Sequence, residues 1–185
     1  LSLFPDGIHF ENFKEFYNKK DKSNEITIKK RIDNFSSRDL KSLEDKSLII
    51  NTNQRINLQS IIGRFADYKF QNKSKEDRVE HYKRAYAYNN FVLEMIEELD
   101  KKSSISSHIF DTNKNNFLKC LDYIKYLELK KSKIDFIDDL CMYFTMSSSP
   151  NDKIIDKLYI LMKSIEPDNI KKDFFEIIIL YIKYY

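Results

Sequence analysis

Between residues 116 and 181 the apolar positions recur in a pattern that reads as one helical hairpin written twice. Phe117, Leu118, Leu121, Tyr123 and Ile124 return 37 residues later as Ile154, Ile155, Leu158, Ile160 and Leu161. In the second arm Asp135-Phe136-Ile137-Asp138 returns 38 residues later as Asp173-Phe174-Phe175-Glu176, and Leu140 and Tyr143 return as Ile178 and Tyr181. Spacings of i, i+4, i+7 in the first arm and i, i+1, i+4 in the second give each helix one apolar stripe. Lys130-Lys131-Ser132-Lys133 and Glu166-Pro167-Asp168-Asn169 form the two turns. The polar run 147–152 joins the hairpins, with Asn151 or Asp152 placed to cap the next helix.

A weaker third copy reads upstream. Leu58, Ile62 and Phe65 match Phe117, Leu121 and Ile124 at an offset of 59, and Asn90-Phe91-Val92 with Met95 matches Asp135-Phe136-Ile137 with Leu140 at an offset of 45. The unequal offsets require an insertion over 71–88. A period near 37 with two helices per unit lies in the range of helical solenoids, and an ordinary helical bundle is the alternative. In chain order, Leu3-Phe4-Pro5-Asp6-Gly7 reads as a turn, because Pro presets φ and Gly accepts positive φ. Phe10, Phe13, Phe16 and Tyr17 follow at helical spacing. A helix is expected over 26–35 with Ile28, Ile32 and Phe35 inward. Ser36 and Asp39 then make a variant capping box for another helix, whose apolar face is Leu40, Leu43 and Leu48. Residues 51–57 read as a loop and 56–70 as a helix, in which Gly63 marks a close helix contact. A solvated connection over 71–77 leads to the longest helix, 76–99, with Val79, Tyr82, Tyr86, Phe91, Met95 and Leu99 inward.

The expected fold is therefore all-α, with stacked antiparallel helical hairpins forming an α-solenoid or an irregular bundle. Its parts are an N-terminal helical region over 1–100, a Ser- and Asn-rich loop over 101–113, and two tandem hairpins over 114–185. Two Gly and three Pro leave few of the tight turns that an all-β chain needs. Charged residues are 33% of the chain but sum to only +3, which excludes the global cationic field of a dedicated nucleic-acid binder. Cys120 and Cys141 lie on or beside apolar faces and read as buried thiols of a reducing, intracellular compartment. No run reaches the ~18 apolar residues of a membrane span. Residues 1–16 lack the charged-then-apolar secretory pattern, and a chain that begins without Met is compatible with a preceding targeting segment.

Catalytic chemistry finds no foothold in the pattern. His9, His81 and His108 are scattered, without the i, i+4 spacing of a metal site, and no Gly-rich phosphate loop or Gly-x-Ser-x-Gly elbow occurs. Asp138-Asp139 and Glu97-Glu98 read as solvated helix faces. The expectation is a non-enzyme without cofactor or metal. Two basic groupings remain as candidate nucleic-acid contacts. In the first, Arg78, Lys83 and Arg84 interleave with Tyr82, Tyr86 and Tyr88; the ridge Arg78-Tyr82-Tyr86 is placed either to neutralise phosphates and stack a base or to form a core tyrosine stripe. In the second, Lys130, Lys131 and Lys133 occupy the turn that in the next copy holds Lys171 and Lys172, so stacked hairpins would align them along one edge. The aromatic stripe Phe10, Phe13, Phe16 and Tyr17 is the candidate partner-binding face.

The paired ladders Phe117-Leu121-Ile124 and Ile154-Leu158-Leu161, with Asp135-Phe136 and Asp173-Phe174, resemble the heptatricopeptide and octotricopeptide repeats of organellar RNA-binding proteins. The segment from Leu58 to Ala66 looks like the small-and-apolar first helix of such units. The resemblance covers a third to a half of the chain. It implies an α-solenoid that scaffolds an organellar, mitochondrial ribonucleoprotein, a ribosomal or ribosome-assembly protein touching rRNA and neighbouring subunits. The competing expectation is a viral or parasite helical-bundle factor that binds a partner helix and has no RNA role.

Overall fold

Helices dominate the described residues of the computed structural model, which are 1–9, 36–99, 104–127, 131–146 and 152–162. A three-stranded antiparallel sheet accompanies them, which corrects the all-α expectation: the protein is mostly helical with a small sheet. The chain divides into two units, Leu1–Lys73 and Ser74–Tyr185. The division falls at 73/74 rather than in the expected loop over 101–113, which is helical from Ser104 onward. The expected helix over 26–35, the stripe Phe10, Phe13, Phe16 and Tyr17, and the last arm over 163–185 lie outside the described residues.

The first unit is built by local backbone devices. Phe4 and Gly7 donate their amides to the carbonyls of Leu1 and Phe4, so two consecutive turns lead into β1 (Ile8–His9). Gly7 has φ +75, and a Cβ there would collide with the Asn57 side chain and lie 2.6 Å from the Ile56 carbonyl oxygen. Only glycine fits. Ser36 caps α1 (Ser37–Asp45) through the expected capping box: its hydroxyl accepts the Asp39 amide, and the Asp39 carboxylate accepts the Ser36 amide at 2.8 Å. α1 ends in a Schellman motif, with Ser47 at φ 53, Ser47 N–H donating to Glu44 and Leu48 N–H to Leu43.

Leu48 delivers the chain into β2 (Ile49–Thr52), which turns back into β3 (Arg55–Leu58). The register is Ile49 to Leu58 and Thr52 to Arg55, leaving a two-residue loop, Asn53-Gln54, with φ 52 and 63. Positive φ at both positions is the type I′ turn, whose twist suits a hairpin. β1 pairs on the other side of β3, giving the order β1-β3-β2. One face of the sheet holds Ile8, Ile49, Ile56 and Leu58, and Leu40 of α1 packs with Ile49 and Ile56. The expected loop over 51–57 is therefore mostly strand. Its alternating Ile56 and Leu58 face a core, and that burial decides the conformation. α2 (Ser60–Gln71) starts four residues later than the expected helix for the same reason. Leu58, required by the third repeat copy as a helical residue, sits on a strand.

The second unit begins with α3 (Lys75–Glu98), where the Ser74 hydroxyl accepts the Asp77 amide at 3.1 Å. α4 (Ser104–Ile124), α5 (Lys131–Met146) and α6 (Asp152–Met162) follow. α4 packs against α3 and α6, and α5 touches both of those as well. The core is aromatic: Phe110 stacks on Phe117 at 5.4 Å and on Tyr143 at 5.3 Å, while Tyr86 meets the Phe136 ring edge-on. The first repeat copy buries as expected, with Phe117, Leu121, Tyr123 and Ile124 inside α4 and Phe136, Ile137, Leu140 and Tyr143 inside α5. Leu158 and Leu161 of α6 bury like their counterparts, whereas Ile160 is exposed where Tyr123 is buried. In α3 the buried stripe is Tyr82, Ala85, Asn89, Val92 and Ile96, so Phe91 and Met95 turn outward, against expectation. Their supposed equivalents, Phe136 and Leu140, are buried, so the third repeat copy fails in both arms.

Candidate protein-docking surface

α2 has two apolar faces. Successive residues turn by about 100° around a helix, so Ile62, Ala66 and Phe70 share one side and Ile61, Phe65 and Tyr68 the other. Phe70 is buried, which fixes the first side as the inner one. The outer side is then carried into solvent: Ile61 is 74% exposed, Phe65 59% and Tyr68 65%. Around this outer arc the order is Arg64, Tyr68, Ile61, Phe65, Lys69, so a cation flanks the apolar row on each side. Lys69 holds its ammonium 5.5 Å from the Phe65 ring centre, a cation–π contact that lays its stem along the row. Arg64 and Lys69 make no ion pair among the described residues. Asp67, the one acid of α2, points elsewhere, with a buried Oδ1 that no donor meets.

The helix is held locally at its C-terminal end. Asn72 donates through Nδ2 to the Tyr68 carbonyl at 2.9 Å, and the Asn72 and Lys73 amides satisfy Tyr68 and Phe70. Gly63 is not a point of close helix contact, contrary to expectation. A Cβ there would meet only the Leu58 Cβ, at an ordinary 3.8 Å.

The basic-aromatic ridge on α3 is a core stripe. Tyr82 is buried and stacks on Tyr123 at 5.0 Å and on Tyr126 at 5.7 Å, and Tyr88 is buried too. Tyr82 already has aromatic partners, and its burial, like that of Tyr88, leaves no ring face open to a base. Tyr123 also receives the Asn89 amide at 3.2 Å, and burial, followed by the neighbouring Cys120, holds its hydroxyl well above the usual tyrosine range. Of the cations, Lys83 is exposed, Arg84 pairs with Glu80 at 3.2 Å one turn away, and Arg78 is half-buried with an interaction of its own. Lys131 and Lys133 begin α5; Lys130, Lys171 and Lys172, and with them most of the lysine strip, lie outside the described residues.

Nucleophilic chemistry is absent at Cys120. Burial pushes its thiol up to about 12, so no thiolate forms near neutral pH. No group of three His, Cys, Asp or Glu among the described residues is placed to hold a metal ion, and no helix among them is long and apolar enough to cross a membrane.

No family model, curated protein or solved structure matches this chain. The resemblance to organellar helical repeats therefore rests on the ladders alone.

The sequence pattern hides this outer row, because it matches Phe65 with the buried Ile124. The available signal was the surplus of apolar residues: Ile61, Ile62, Phe65, Ala66, Tyr68 and Phe70 are too many for one stripe.

Proposed function

We propose that this protein is a non-catalytic, mostly helical interaction module that docks on another polypeptide through the outer face of α2. The reading is carried by the row Ile61, Phe65 and Tyr68; among the described residues no other helix turns three large apolar side chains outward. Spacing of i, i+4, i+7 is that of a helix laid into an apolar groove. Fully burying such a side chain stabilises by ~1.5–3 kcal/mol, so three that are about two-thirds exposed offer on the order of 3–6 kcal/mol gross. Association itself costs several kcal/mol, so a row of this size supports a weak, reversible contact. Arg64 and Lys69 select a partner surface with acidic margins.

The test places a photoreactive benzoylphenylalanine at position 65 in the native cell, with the same group at exposed Lys83 as control. An adduct formed at 65, not at 83, and lost with Ile61→Asp and Tyr68→Asp, is the expected result. Absence of any adduct at 65 sinks the reading.

A ribonucleoprotein scaffold is the second reading, supported by the burial of Leu158 and Leu161 in the pattern of Leu121 and Ile124. On this reading α6 opens a second hairpin that stacks, solenoid-like, on α4 and α5 within a mitochondrial ribosomal assembly. Lys83, Arg78, Arg84 and the lysines at 130, 131, 133, 171 and 172 would meet rRNA phosphates, without base stacking on Tyr82. RNA binding that weakens steeply with salt, and loses slope in a Lys130/Lys131/Lys133→Ala variant, supports this reading; no binding at low salt removes it.

A further inference from the structure

The outer face of α2 has a counterpart on α3. Over residues 87–98 that helix carries Ala87, Phe91 and Met95 in an i, i+4, i+8 row on its solvent side, with Phe91 46% and Met95 36% exposed. Glu94 and Glu98 stand exposed beside this row, and no Lys or Arg occurs between 87 and 98. Glu94 accepts the Asn90 side-chain amide at 2.7 Å, and neither glutamate makes an ion pair among the described residues. The α2 face is its opposite in charge: Arg64 and Lys69, with no acid on the outer arc. Lengths agree as well. At 1.5 Å per residue the row from Ile61 to Tyr68 spans about 10 Å, and that from Ala87 to Met95 about 12 Å. Ala87, with a single methyl, lets another helix come close.

Resting on the interaction reading above, we infer that the polypeptide docked on α2 is a second copy of this chain. Ile61, Phe65 and Tyr68 of one copy lie over Ala87, Phe91 and Met95 of the next, with a cationic edge of the α2 row against the acidic edge that Glu94 and Glu98 give the α3 row. The two patches are different surfaces, so copies can pair them reciprocally in a closed dimer or head-to-tail in a longer assembly, and either assembly grows with concentration.

Sedimentation of the purified full chain, taken from micromolar into millimolar concentration, tests this with two charge-reversed variants, Arg64→Glu/Lys69→Glu and Glu94→Lys/Glu98→Lys. The wild-type mass average is expected to climb with concentration, and each variant alone to associate at least tenfold more weakly. An equal mixture of the two variants is expected to associate again, because every mixed contact pairs opposite charges; recovery on mixing also shows that both are folded. A wild type that stays monomeric, variants that associate like the wild type, or a mixture that does not recover each overturns the inference. Where the adduct at position 65 forms with a different polypeptide, self-docking fails and the interaction reading stands. Where no adduct forms at all, both fail.

Discussion

The two units of this chain are stabilised by different means. In residues 1–73 the described structure is set by backbone conformation: a glycine at φ +75, a capping box, a Schellman end and a type I′ turn, around a core of a few leucines and isoleucines. In residues 74–185 it is set by side-chain volume, with stacked Phe and Tyr rings filling the space between long helices. A small sheet-and-helix unit buries too little apolar surface to hold itself by packing alone, so each turn residue matters individually. Long helices bury enough that single turns matter little and single rings matter a great deal.

The sharpest way to break this contrast is Phe117→Ala, which removes a fully buried ring from the centre of α4. A loss of about 3–5 kcal/mol is expected, read by denaturant unfolding and by faster amide exchange in α3 and α4. A loss below about 1 kcal/mol would mean that packing is not what holds the helical unit. In the first unit, Gly7→Ala forces a side chain onto Asn57 and Ile56 at a positive φ, and about 2 kcal/mol should be lost, seen in the exchange of the β3 amides.

Titration separates the units by direction. The Cys120 thiol, raised by burial from 9.0 to about 12, binds its proton more tightly folded than unfolded. Its contribution is complete below pH 9 and is lost as pH rises from there towards 12, on the order of 1 kcal/mol per pH unit at first. Thermal unfolding of the helical unit should therefore be alkali-sensitive, and Cys120→Ala should flatten that dependence. Asp39 runs the other way. Hydrogen bonds from Ser36 lower its pKa, so the α1 cap is intact above the usual carboxylate range and is lost as pH falls through the folded value. The smallest expected effects are gains in the first unit. Gly63→Ala adds a methyl where there is room, and Ser47→Gly relieves a non-glycine residue at φ 53; each should raise stability by about 0.5–1 kcal/mol in denaturant unfolding.

Features written in local chemistry could be read from the sequence. The capping box at Ser36 and Asp39, the glycine turn at Gly7 and the long helix, expected over 76–99 and observed as Lys75–Glu98, all depend on neighbours in the chain. The hairpin could not be read in the same way, because its turn is Asn53-Gln54 without the glycine that usually announces a type I′ turn. Its remaining signal is the β-branched run Ile49, Ile50 and Thr52, followed by the alternating Ile56 and Leu58. In α3 the bulk of Tyr86, Phe91 and Met95 points to the wrong inward face, since the true stripe passes through Ala85 and the polar Asn89, whose side-chain N–H groups donate to Tyr123 and to the Ala85 carbonyl. The outer row of α2 is hidden in the same way, because Phe65 is a large ring and large rings are usually core.

The stacked pair Tyr82 and Tyr123, with planes only 8° apart, has an optical consequence. The chain has no tryptophan, so its near-ultraviolet signal is tyrosine. Residues 1–73 contribute only Tyr17 and Tyr68, and most of the dichroism should come from rings locked between α3 and α4. Unfolding of the helical unit is thus visible without a label. Tyr68 stands in the exposed apolar row of α2 on the nearly dark first unit, so a Tyr68→Trp chain would carry one distinct emitter on the proposed docking face.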